Sequence, residues 1–180
     1  MTILKPFAIA VCFVVFSSQM ALAQQFNPGR IKALGEAMQG HEHQAHQQLA
    51  QQRAQTLYYY AQTKEPIPMQ EAKELVTGIK KDLTASDAAL AKIKAERAKD
   101  PEVLKQIALI EKHHAKAHEV CGMAEEHCLK EHGDHVSIGN CCSDMWHEID
   151  AAKVETAKLM KMLKIEKLES PKKVDAKGAK

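Results

Sequence analysis

Proline placement sets the first limit on what this chain can fold into. Five of its six prolines stand at four points: Asn27-Pro28, Glu65-Pro66-Ile67-Pro68, Asp100-Pro101 and Ser170-Pro171. Proline breaks a helix from within but suits its first turn, and Asn or Asp just ahead of it can cap. Between these points apolar residues recur at helical spacing, with no strand-like alternation. The spacing predicts helices over about 28–62, 69–98 and 101–131. A loop follows at 133–139, and a fourth helix runs from a cap at Asn140 to about residue 168. Ala, Lys, Glu, Gln and Leu are abundant while aromatics are only 4% of the chain, which favours helix over sheet. Four long amphipathic segments with mostly short connections predict an all-α fold, an antiparallel four-helix bundle.

The inward stripe of each helix can be read from its spacing. Helix one offers Ile31, Leu34, Met38, Ala45, Leu49 and Leu57. Helix two offers Leu75, Ile79, Leu83, Leu90 and Ile93, with Gly78 as a weak spot. In helix three, alternating steps of four and three put Val103, Ile107, Ile110, His114, Ala117, Cys121, Ala124 and Cys128 on one seam. Helix four gives Ile138, Cys142, Met145, Ile149, Ala152, Thr156, Leu159 and Leu163. Tyr58-Tyr59-Tyr60 spans more than half of a helix circumference, so at least one ring belongs to the core and one to the outside.

The ends carry other information. Lys5, the apolar run Ile9 to Phe16 and the small-x-small site Ala21-Leu22-Ala23 read as a secretory signal over 1–23. That implies a periplasmic or secreted protein whose Cys12 leaves with the signal. The bundle is expected over 24–168, followed by a solvated Lys-rich tail over 169–180. The apolar run is too short for a stable membrane span. Net charge is only +2 with both signs mixed throughout, which gives no nucleic-acid surface. Association of two chains through the long helices is left open.

The chemistry is concentrated between His113 and His147. These thirty-five residues hold seven histidines, four cysteines, Met123 and Met145. Thiolate, imidazole and thioether are the donors that suit Cu(I) and Zn(II). In helix three the lower seam is aliphatic and the upper seam substitutes His and Cys. In helix four the sulfur groups occupy the end nearest the loop. A hairpin turning near Asp134 sets Cys128 about level with Cys141, with Cys121, Cys142 and Met145 within a turn or two. Met123, His127 and His147 would form a rim, and His132 and His135 lie in the loop. Aligning helices one and three sets His46 level with His114 and His118 in a second, nitrogen-rich layer, with Asp82, Asp150 or Glu155 as oxygen donors. His43 and His113 read as plain surface groups.

The stretch Glu126-His127-Cys128-x3-His132-x2-His135-x5-Cys141-Cys142 resembles the helical hairpins of the cysteine-rich four-helix-bundle copper-binding proteins, including exported copper storage proteins. The resemblance covers about 30 residues. It implies Cu(I) bound by Cys121, Cys128, Cys141 and Cys142, with Met123, Met145, His127 and His132 as accessory ligands. Zn(II) is the alternative ion. Family members carry many more cysteines, on several helices. Four thiols on two helices therefore imply a site for one to a few ions, which would be sequestered, buffered or carried.

Two other readings compete. In an oxidising compartment the cysteines could staple the fold. Cys121 and Cys128 lie about 10.5 Å apart along one helix and cannot bridge, since a disulfide needs α-carbons within roughly 7 Å. Cys128 to Cys141 or Cys142 is a credible bridge. A di-iron bundle enzyme needs Glu and paired Glu-x-x-His ligands. Here Glu111-x-x-His114 has no partner, and His127 to Glu131 lacks the companions of a hemerythrin-like site. No Ser-His-Asp grouping or phosphate loop stands out either, so the expectation is a binding protein and not an enzyme.

Overall fold

A computed structural model of the chain describes residues 28–63, 66–129 and 134–165. The signal segment, the Lys-rich tail and His132 lie outside the described residues. Four helices follow in order: α1 (Pro28–Gln62), α2 (Met69–Glu96), α3 (Pro101–Leu129) and α4 (His135–Met162). The fold is all-α, a four-helix bundle. None of the described helices is long and apolar enough to cross a membrane. The chain divides into a unit ending at Met38 and a second from Gln39 onward. The first contributes the opening turns of α1, and the second holds the bundle.

Local chemistry explains most boundaries. Asp100 caps α3 by accepting from the Val103 amide at 3.2 Å, ahead of Pro101. Helix α4 starts earlier than expected from Asn140. Asp134 is its cap, accepting from the Val136 amide at 3.1 Å and from the Ser137 hydroxyl at 2.5 Å. The segment 135–139, expected as loop, is thus the first turn of the helix. The same helix stops short of residue 168. Lys164 adopts a left-handed φ of 57°, its amide bonds the Lys161 carbonyl and the Ile165 amide reaches back to Met160. That pair of reversed bonds is a Schellman stop, which closes the helix before any proline is met.

The seams of α3 and α4 are buried along their whole predicted length, from Val103 to Cys128 and from Ile138 to Leu163. Helix α3 packs along both α2 and α4. Helix α1 corrects the expectation. Ala45 and Leu49 face solvent, as do Ile31, Leu34 and Met38 in the first unit. Leu57 is buried as expected, but the rest of the seam is Gly40, His43, Gln47, Ala50, Ala54 and Ala61. It is marked by small and polar residues, so hydrophobicity does not reveal it. Of the tyrosines, Tyr59 is exposed while Tyr58 and Tyr60 pack against the core. Gly78 has a packing reason. A Cβ there would lie 2.7 Å from Nε of Arg53, which crosses α2 to pair with Asp82.

The core has three storeys. Leu90, Ile93, Val103, Ile107, Ile110 and Leu159 form an aliphatic base. The upper storey joins Leu57, Val76, Ile79, Leu83, Ile138 and Ile149 to all four described cysteines and Met145. Between them lies a storey of buried polar groups, supplied by all four helices: His43 and Gln47, Ser86, His114 and Thr156.

Candidate metal centre

In the upper storey Cys121, Cys128, Cys141, Cys142 and Met145 are all buried, and Cys142 has no exposed surface. The four thiols are free, and no disulfide joins them. Burial raises each thiol above its ordinary range. Cys121 is pushed up to about 11, chiefly by burial and then by Glu125. Cys142 is raised furthest, first by burial, then by Cys128, Cys141 and Cys121 in turn. All four cysteines belong to one packed cluster of the core. Cys128 is raised by burial first and then by Cys141, against a downward pull from Lys73.

These thiols have little else to do. The Cys121 thiol donates to the Val76 carbonyl at 3.8 Å, a long and weak bond. The charges that reach the cluster stand at its edge: Lys80 and Glu125 by Cys121, Lys73 by Cys128, and Asp144 by Cys141. As it stands, no group of three or more His, Cys, Asp or Glu side chains among the described residues is arranged to hold a metal ion.

The expected rim is dispersed. Met123 is 46% exposed, while His127 is half-buried near the end of α3. His147 is exposed and meets the Trp146 ring edge-on at 5.1 Å.

The nitrogen-rich layer exists, but with different members. His43, read from sequence as a surface group, is fully buried, and its ring centroid lies 5.4 Å from that of His114. His46 sits to the side, bonded to Asp82 at 3.2 Å beside the Arg53–Asp82 pair. Asp87, on α2, is the carboxylate that sequence reasoning missed. It contacts His114 Nδ1 at 2.5 Å and His118 Nε2 at 2.9 Å. The Asp150 and Glu155 carboxylates instead accept from Gln51 and Gln106.

One set of proton positions accounts for the bonds of this layer, while the buried Gln47 Oε1 has no partner among the described residues. His114 donates from Nδ1 to Asp87, so its Nε2 accepts from the Gln47 amide at 2.9 Å. Gln47 also donates to the Thr156 hydroxyl at 3.1 Å. Thr156 donates onward to Nε2 of His43 at 3.0 Å, whose Nδ1 donates to the Ser86 carbonyl at 3.0 Å. His43 is thereby neutral. Burial lowers its pKa from 6.5 to about 4, against a smaller upward pull from Ser86. Burial pushes the Asp87 carboxyl up, but the bonds from His114 and His118 outweigh it and hold the group below its usual range. Glu111 turns outward to Lys94 at 2.8 Å, so the Glu111-x-x-His114 element does not present its two side chains to one ion.

No protein-family model, curated protein or solved structure matches this chain.

Proposed function

We propose that this protein binds a soft metal ion, Cu(I) before Zn(II), through the sulfur groups of α3 and α4, and that it sequesters, buffers or carries that ion after export. The observation that carries the reading is the convergence of four buried free thiols and a thioether in one core storey, where the Cys121 thiol makes a long, weak hydrogen bond. Softness selects the ion: buried sulfur donors suit Cu(I) better than any hard cation. The donor set fits. Cu(I) is satisfied by two or three thiolates, fewer than the four this storey holds, and binding would require the cysteine side chains to rearrange from their present positions. Cys128, Cys141 and Cys142 would form the first set, with Cys121 and Met145 beside them.

The histidines of the middle storey are weaker candidates in this reading. His114 and His118 already hold Asp87, and a metal would have to displace those bonds. His46 is committed to Asp82. The resemblance of residues 126–142 to the copper-binding bundles points the same way, to one or a few ions on the cysteines.

Binding would expel thiol protons, so affinity falls as pH falls. It would also stabilise the fold by mass action. The test is a titration of the reduced mature protein with Cu(I) and, separately, Zn(II), following the thiolate-to-metal ultraviolet band, then dialysis and elemental analysis. Retention of at least one Cu(I) per chain is expected. Retention of neither ion at micromolar free metal would reject the reading.

A further inference from the structure

Thiols this deeply buried can exchange an ion only where the surface opens towards them. Two clefts reach the cysteine cluster. One, of about 240 Å³, lies between α1 and α4 and is lined by Gln55, Tyr58, Tyr59, Cys142, Ser143, Trp146 and His147. The other, of about 210 Å³, lies between α2 and α3 and is lined by Lys73, Val76, Thr77, Glu125 and Cys128.

The two differ in chemistry. The cleft at Cys128 has a lysine and a glutamate in its wall. The cleft at Cys142 has no Lys, Arg, Asp or Glu, and its walls are two pairs of rings. Tyr58 and Tyr59 stand 6.2 Å apart on α1, and Trp146 and His147 stand 5.1 Å apart on α4. Aromatic faces attract a cation, and an exposed imidazole is a borderline donor that can hold a soft ion briefly. The volume far exceeds that of a bare ion. It matches an ion still attached to a small uncharged organic ligand.

We propose that the aromatic cleft between α1 and α4 is a delivery port, where a soft metal ion carried on a small thiol is passed to Cys142. This rests on the sulfur-site reading above and specifies its donor. The step is a ligand exchange. The Cys142 sulfur bonds the ion as the bond from the ion to the carrier sulfur breaks. The Cys142 proton leaves on the departing carrier, which is released as a free thiol. The ion keeps its oxidation state throughout. Cys128, Cys141 and Cys121 share the core cluster with Cys142 and would take the ion on by the same exchange.

Trp146 is the chain's single tryptophan and stands in the port, so its fluorescence reports arrival. The experiment mixes reduced full-length mature protein with Cu(I) supplied as its 2-mercaptoethanol complex, in stopped flow. Two fillings of the port, Ser143→Phe and Gln55→Phe, are compared with a filling of the other cleft, Thr77→Phe. Each port variant is expected to slow quenching at least tenfold while the final copper content stays that of the wild type. Thr77→Phe is expected to stay within twofold. Port variants that load at the wild-type rate, or a slow Thr77→Phe, would overturn the port and leave the sulfur site intact. Wild-type protein that takes up no Cu(I) would overturn both.

A metal-free readout guards against variants that fold poorly. Methyl methanethiosulfonate should modify Cys142 more slowly in the port variants than in the wild type, as mapped by mass spectrometry, with the rates at the other three cysteines unchanged. An unchanged Cys142 rate in both port variants would overturn the proposal.

Discussion

The sulfur storey and the polar storey occupy one core about two helical turns apart on α3, from Cys121 to His114, yet they are built on opposite principles. In the polar storey most donors and acceptors of four helices are matched to one another, the buried Gln47 Oε1 being an exception. His43, Gln47, Ser86, Asp87, His114 and Thr156 form a chain of bonds between 2.5 and 3.1 Å. In the sulfur storey four thiols meet with hardly any hydrogen bonding among them. Buried polar groups must be paired or they cost stability, whereas a thiol behaves as a small hydrophobe and tolerates idleness. The difference teaches that histidine content alone is a poor guide to metal chemistry. The imidazoles are committed to the fold, and the thiols remain uncommitted.

Metal affinity should separate the storeys most sharply. Removing Cys128 and Cys142 together, as Cys128→Ala with Cys142→Ala, is expected to weaken Cu(I) binding by roughly a hundredfold or more, because first ligands matter more than their supports. Replacing His118 by Gln should change it less than about threefold by the same reasoning. Competition against a Cu(I) chelator measures both. A large loss from His118→Gln with little from the cysteines would reverse the comparison.

Acid should strike the polar storey next. His43 has a pKa near 4 in the folded protein and 6.5 when unfolded. The unfolded chain therefore binds the extra proton first, and stability falls as pH drops from about 6.5 to about 4. The full shift is worth roughly 3 kcal/mol. Asp87, held below its ordinary range, adds a further loss in the same direction at still lower pH. Urea unfolding at pH 7.5 and pH 4 tests this, and His43→Leu should flatten the slope between them. A stability independent of pH across that window would mean that His43 is not held neutral.

Much of this contrast was legible in the sequence, and the reason is the kind of residue on each seam. On α3 and α4, Ile, Leu, Val, Cys and Met alternate with charged residues, so spacing alone reveals both buried faces and the burial of the cysteines among them. On α1 the buried face is mostly alanine, glutamine and histidine, with Leu57 its one leucine, while Leu49 faces water. Apolarity was therefore the wrong marker there, and the seam was misplaced. Aligning the ends of helices one and three sets His46 beside His114, and the structure places His43 there, three residues earlier. Asp87 had no signal of its own: one acidic residue on a charged helix becomes visible only when the histidines it serves are located. The early start of α4 could have been read from Asp134, whose carboxylate stands two residues before the amide it caps.

A hydroxyl deletion sharpens the comparison at smaller scale. Thr156→Val keeps the shape of the side chain but strands His43 Nε2 and one Gln47 N–H, and should cost about 1 to 3 kcal/mol. Denaturant melting reads the cost, and Cu(I) affinity should be unaffected. A neutral effect would mean that water replaces the hydroxyl and that the polar storey is looser than its bond lengths suggest.

The smallest effect is expected from Cys121→Ala in the metal-free protein. The sulfur is fully packed, but its one hydrogen bond is 3.8 Å long and ends on a carbonyl of α2. The loss is then chiefly one atom's worth of packing, roughly 1 kcal/mol. Chemical denaturation of the reduced protein measures it. A cost above about 3 kcal/mol would be too large for one atom of packing by the same scale. Such a result would make the thiol a structural element like Thr156 and remove the reason for regarding the sulfur storey as free to bind. A cost near the expected value, combined with weaker Cu(I) binding in the same variant, would mean the residue is retained for its chemistry, because an alanine or valine would have filled the seam as well.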